Sequence, residues 1–258
     1  LAAWREEGPL DAGPSIVLWD YGAKAEPQAL PIPYLKDPVG LRMDGDWLVY
    51  VDTIWGDPDV FGIRLSDGDW RLVAGGPGAQ QLGDLSGGRV LYTDCTECLT
   101  GTTPADGAEI YEVNLSEGGL PQRLTINKVN DAAPTYGTLA DGSTSSAWVS
   151  SYSTLAAQAS GTLETFPQDE AWIQDVALVG GALMWRPSPA IINPDSMIPS
   201  PMIINPDSMM PSDIFQTDLV TGVTTAISSH VEIDSKTPLT LSSSGTQLAF
   251  ASGVLGSD

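Results

Sequence analysis

Asp52, Asp57 and Asp59 fall within eight residues of one another, and Asp94, Glu97 and Asp106 form a second acidic stretch. Such density points to calcium, which takes roughly six to eight oxygens from carboxylates and the carbonyls of irregular loops. Asp52, Asp57, Asp59 and Asp94 are the expected ligands. No Asp-x-Asp-x-Asp-Gly run with a distal Glu accompanies them, and solvated surface acids would give the same pattern. Cys95 and Cys98 bracket Thr96-Glu97 in the second stretch. A zinc site would need further Cys or His ligands, and the chain offers only the remote His230. A redox pair would open a helix after a strand, a setting absent here. A small disulfide, Cys95–Cys98, pinning a loop in an oxidising compartment is the remaining expectation.

Glycan cleavage needs two carboxylates across a pocket, about 5–5.5 Å apart for retention and farther for inversion. With 33 acidic residues some pair meets any distance, so abundance alone argues for nothing. A sialidase-like S-x-D-x-G-x-T-W box, a G-x-x-x-x-G-K-[ST] phosphate loop and a G-x-S-x-G elbow are all missing. His230, after Ile227-Ser228-Ser229, has no indicated catalytic partner. The balance leans away from an enzyme.

Binding chemistry is better represented. Ile191-Ile192-Asn193-Pro194-Asp195-Ser196-Met197-Ile198-Pro199-Ser200 is nearly repeated 12 residues later, from Ile203 to Ser212. Asn-Pro-Asp-Ser favours a turn, because proline presets φ and the Asx side chains bond nearby backbone. Between the turns lie Ile191, Ile192, Met197, Ile198, Met202, Ile203, Ile204, Met209 and Met210. Adaptable Met- and Ile-rich surface is what a partner-binding loop offers; folded back onto its own domain, or as a neutral duplication, it would do nothing of the kind. Trp55, before Gly56-Asp57, is the exposed aromatic expected beside it, with Trp4 near the N-terminus. Trp19, Trp47, Trp148 and Trp185 fall at strand positions and read as core.

These residues need a scaffold, and the chain supplies one by repetition. Asp59-Val60-Phe61-Gly62-Ile63-Arg64-Leu65 returns as Glu109-Ile110-Tyr111-Glu112-Val113-Asn114-Leu115 and as Asp213-Ile214-Phe215-Gln216-Thr217-Asp218-Leu219. Each copy runs into a Gly turn, and a looser one opens at Ser15. Starts at 59, 109 and 213 give a period near 50 and predict a degenerate copy near 161, at Gly161–Phe166. A second half-repeat, apolar strand, Gly turn, apolar strand, centres on Gly45, Gly87, Gly142, Gly180 and Gly245. The b–c connections that carry the candidate sites are expected at 52–58, 93–108, 150–160 and 186–212, against short a–b and c–d turns. Long loops on a rigid scaffold are the usual seat of binding.

Leu241-Ser242-Ser243-Ser244-Gly245-Thr246-Gln247-Leu248-Ala249-Phe250 resembles the S-P-D-G-x-x-[IL]-A-F turn of TolB-like propeller repeats, with Ser243 and Ser244 replacing Pro and Asp. The D-I-[YF]-x-x-[DN]-L strands, followed in one case by Arg123-Leu124-Thr125, are similar to the next half of those repeats. The resemblance implies an all-β propeller, envelope or extracellular location, and protein binding in some members.

Composition agrees with that scaffold. Twenty-seven glycines and 20 prolines among short Val/Ile/Leu/Tyr/Trp runs exclude a helical protein, and 42% hydrophobic residues supply a sizeable core. Net charge is −22, so neither nucleic acid nor an anionic membrane surface is an expected partner. The longest nearly apolar run, Val176–Trp185, is about half a membrane span. Salt adaptation would produce a similar charge, and a start at Leu1 fits processing or a fragment. The expectation is one propeller domain over 1–258, with a leader at 1–14 and a long inserted loop at 186–212. It has five four-stranded antiparallel blades, or six with one missing, the last closed by strands from both termini. Its expected role is exported, non-enzymatic binding of another protein or of its own copies. Its expected cofactors are none beyond calcium, and a carbohydrate-active propeller with an acidic central pocket is the alternative.

Overall fold

The computed structural model describes residues 1–8, 13–95, 107–127, 129–151, 153–159, 162–168, 173–187, 214–228, 242–244 and 247–249. Every regular element among them is a strand. Two compact units divide the chain, Leu1–Val129 and Asn130–Asp258.

The first unit begins with β1 (Ala2–Glu7), β2 (Pro14–Trp19) and β3 (Gln28–Ala29), ordered β1-β2-β3. Two four-stranded up-and-down antiparallel sheets follow. One holds β4 (Val39–Asp44), β5 (Trp47–Asp52), β6 (Asp59–Arg64) and β7 (Trp70–Ala74); the other holds β8 (Ala79–Ser86), β9 (Arg89–Cys95), β10 (Glu109–Asn114) and β11 (Gln122–Arg123). β5 is buried along its whole length. That is why it reads as an apolar run rather than an alternation: both of its faces are covered. Trp47, Val49 and Val51 pack toward Leu85, Val90 and Tyr92, while Leu48 and Tyr50 join Ile16 on the other side.

The second unit contains an eight-stranded sheet. β12 (Asp131–Thr138), β13 (Thr144–Ser150), β14 (Thr154–Ala159) and β15 (Thr162–Pro167) form one antiparallel half. The other half is β16 (Ile173–Val179), β17 (Ala182–Pro187), β18 (Ile214–Asp218) and β19 (Thr224–Ser228). The inner strands join the halves through a parallel pairing, Gly137 opposite Leu178. A Cβ on Gly137 would lie 1.8 Å from the Leu178 carbonyl oxygen, so only glycine permits this approach. A hairpin, β20 (Ser242–Ser244) with β21 (Gln247–Ala249), completes the described strands.

All five half-repeats centred on glycine are hairpins where expected. Two expectations are corrected. β1 lies inside the segment read as a leader, and it takes the place beside β2 that was assigned to a strand from the C-terminus. The fourth repeat was displaced as well. β14 occupies most of the stretch read as the 150–160 loop, and the Gly161–Phe166 copy is the outer strand β15, not the third strand. Thr154-Leu155-Ala156-Ala157-Gln158-Ala159 lacks the acidic start and the aromatic that mark the other third strands. Its buried alanines fit close packing yet carry little strand signal.

Candidate functional site

The face of the first unit that bears the b–c connections is organised by buried carboxylates. Asp52, at the end of β5, accepts hydrogen bonds from the backbone N–H groups of Lys36 at 3.0 Å, Asp37 at 2.9 Å and Thr53 at 2.6 Å. Three amides on one carboxylate tie the connection before β4 to the connection after β5. Glu109, at the start of β10, does the same work with other partners. The Arg123 guanidinium donates to Oε1 at 2.6 Å, the Asn127 N–H donates to the same atom at 3.1 Å, and the Thr125 hydroxyl donates to Oε2.

Asp59 opens β6 as Glu109 opens β10, and the pairing registers align their surroundings. Leu72 stands where Arg123 does, and a register shift just beyond it brings Gly75, which has no side chain to donate, beside the Asp59 carboxylate. Asp59 keeps only the Gly76 N–H, and its Oδ1 is buried without a hydrogen-bond partner. Burial raises its pKa above the usual carboxylate range; the Gly76 N–H opposes that shift and the Asp57 charge adds to it.

The acids expected to bind calcium therefore divide. Asp52 is committed to three amides; Asp57 is exposed and accepts from the Gly78 N–H at 3.3 Å; Asp94 accepts from the Gln80 amide at 3.2 Å. Among the described residues no three Asp, Glu, His or Cys side chains gather in a metal-binding geometry. Glu97 and Asp106 lie outside the described residues. The recurring acid that opens each repeat is legible in the sequence, but the task Glu109 performs, gripping the loop that follows β11, is not. The signal that could have shown it is the co-occurrence of Arg123 and Thr125 with Glu109.

Trp55 is 60% exposed, in the connection after Asp52, with its ring edge-on to Phe61 at 5.4 Å. Phe61 in turn stacks between Tyr50 and Trp70, and the Trp70 indole donates to the Tyr50 hydroxyl at 2.8 Å. Burial raises the Tyr50 pKa to about 12. Trp4 is exposed as expected, and Trp47, Trp148 and Trp185 are core. Trp19 is not core: at 39% exposed it lies edge-on to Tyr21, at the sheet end where β2 turns toward β3. Ile191, Ile192, Met197, Ile198, Met202, Ile203, Ile204, Met209 and Met210 lie outside the described residues, as does His230. Cys95 ends β9 opposite Ala79 and is not free; Cys98 lies outside the described residues.

A concavity lies in the other unit, on the side of the short turns. A cavity of about 850 Å³ is lined by the β12–β13 turn, by Glu164–Phe166 of β15, by the Gly180-Gly181 turn and by Asp218–Gly222. Gly180 and Gly181 have φ of 58° and 83°, the left-handed pair that a two-residue hairpin requires. Leu139, Phe166, Leu219 and Val220 give the cavity apolar walls, and Asp141, Glu164 and Asp218 give it charge. The Ser143 hydroxyl and N–H hold Asp141 below the usual carboxylate range, and the Thr221 N–H and hydroxyl do so for Asp218.

No protein-family model matches the chain, and no curated protein matches it. Solved structures do. The structure of a putative TolB from Agrobacterium tumefaciens matches with a TM-score of 0.57 at 12% identity, over 84% of this chain and 76% of that one. The tricorn protease matches at 0.66 and 12% identity, over 93% of this chain but only 26% of the protease chain. A chain of a nidogen/laminin complex matches at 0.50 and 14% identity, over 84% of this chain and 71% of that one. The four-stranded sheets described above are blades: the fold is a TolB-like β-propeller.

Proposed function

Taking that propeller fold as the premise, we propose that this chain is an exported, non-enzymatic binding subunit that docks another protein through its b–c loop face. Trp55 carries the proposal. It is a large aromatic, 60% exposed, on a connection held rigid by the Asp52 amide clamp and backed by the Tyr50–Phe61–Trp70 stack. A preorganised, exposed tryptophan is the kind of residue that concentrates binding energy in protein interfaces. The Ile/Met duplication, from Ile191 to Met210, is a second b–c connection in the sequence repeat and would supply further apolar contact. The nidogen/laminin structure supports the reading, since that match is a chain within a protein complex. No α-helix among the described residues is long and apolar enough to cross a membrane.

The test compares three proteins as bait in native extract: the intact chain, Trp55→Ala and a chain lacking residues 190–212. A partner retained by the intact chain and weakened at least tenfold by both changes is the expected result. Equal capture by all three would overturn the loop-face assignment. Retention of glycans, with no protein captured, would transfer the function to the carbohydrate alternative.

A further inference from the structure

The cavity among the turns of the second unit is independent of the loop face, and its chemistry specifies an occupant. Its walls present Leu139, Phe166, Leu219 and Val220, and Val220 is 90% exposed at the rim. A side chain so apolar and so exposed has no folding role of its own. Three carboxylates share the lining, and no Lys or Arg is among the described residues that form it. Asp141 and Asp218 each spend Oδ1 on their own turns, on Ser143 in one case and on Val220 and Thr221 in the other. Their second oxygens and the Glu164 carboxylate remain open to a ligand. Three glycines, Gly180, Gly181 and Gly222, keep the lining concave, and a Cβ on Gly222 would point to the Phe166 ring at 3.8 Å. At about 850 Å³ the volume falls within the range of small-ligand and peptide sites, about 300–1,000 Å³.

We propose that this cavity binds a short peptide segment of a partner protein in which a Lys or Arg flanks a bulky apolar side chain. The apolar residue enters between Phe166 and Val220, and the cation meets Asp141, Glu164 and Asp218. A second copy of this chain is a poor occupant, because copies at net charge −22 repel one another.

The probe is a Lys-Phe-Leu-Lys tetrapeptide amide with a neutral fluorophore, titrated by anisotropy against the whole chain. Lys-Ser-Gly-Lys serves as the charge-matched control. The protein variants are Val220→Arg, which places a cation at the rim, and Leu120→Arg, the same change at an equally exposed turn of the first unit. The expected result is binding of Lys-Phe-Leu-Lys at least tenfold tighter than Lys-Ser-Gly-Lys, weakened at least tenfold by Val220→Arg and unchanged by Leu120→Arg. Asp141→Asn combined with Glu164→Gln keeps the turn hydrogen bonds and is expected to weaken binding similarly, which covers a failure of Val220→Arg to fold. Equal binding of both peptides, equal loss in both arginine variants, or no loss in the double variant would each reduce the effect to general attraction toward an acidic protein and overturn the proposal.

Discussion

Asp59 and Glu109 begin the same repeat, yet they contribute to stability with opposite sign. Glu109 is matched by a guanidinium, a hydroxyl and an amide; Asp59 has one amide and an orphaned oxygen while 3% exposed. An unmet buried acceptor costs about 1–3 kcal/mol, and a hydrogen bond to a charged group contributes about 1.5–3 kcal/mol. Glu109→Gln is therefore expected to lower stability by about 2 kcal/mol. Asp59→Asn keeps an acceptor for Gly76 without the charge and is expected to raise stability by about 1 kcal/mol at neutral pH. The pH dependence follows from a folded pKa above the unfolded one. The native state holds the Asp59 proton longer, so its charge penalises folding above that window and the penalty fades as pH falls toward the ordinary carboxylate range. The gain from Asp59→Asn should thus shrink on acidification. Urea denaturation of both variants at neutral and acidic pH tests the pair, and a gain that grows on acidification would refute the assignment.

Among the elements, legibility followed the repeat signature. Hairpins around Gly45, Gly87, Gly142, Gly180 and Gly245 stood out because a tight turn demands glycine and its flanking strands are apolar. β14 did not, since buried alanines imitate a polar-poor loop, and a 50-residue period cannot place a strand whose preceding connection has shrunk to residues 151–153. β1 carries charges at Arg5, Glu6 and Glu7 that disguise a strand. The seam between β12 and β16 was invisible because a glycine chosen for close approach looks like any other. It also yields a sharp contrast. Gly137→Ala forces a Cβ into the Leu178 backbone and is expected to cost about 3 kcal/mol, a drop in Tm of roughly 10 °C. Gly142→Ala meets no atom within 4 Å and bears only the strain of φ +82°, about 1 kcal/mol. Calorimetry of the two variants would show near-equal losses if the seam did not matter.

For the whole molecule, composition was informative about class and silent about sites. Glycine, proline and apolar content announced an all-β fold, and the 50-residue repeat made it a propeller; a surplus of carboxylates announced nothing specific, because the same residue type grips loops, caps turns and lines a cavity. That is why Asp52 was legible as special and not as a loop clamp. The surplus does have a collective effect. At net charge −22 the folded chain repels itself, and salt screens such repulsion over a Debye length of about 10 Å at 0.1 M. Raising sodium chloride from about 0.02 to 0.5 M is expected to lift Tm by a few degrees; a fall would mean that ion pairs such as Arg123–Glu109 outweigh the repulsion.

Repeat proteins lengthen and shorten by copying whole blades, and here the junction of two four-stranded halves within the second unit is a backbone contact suited to glycine alone. A copied blade bringing any other residue opposite Leu178 would dock at a cost of about 3 kcal/mol relative to one that kept the glycine. The seam at Gly137 thus weighs on any rearrangement of the repeats: a copy that keeps this glycine meets its neighbour without strain, and one that loses it leaves less margin for every later change.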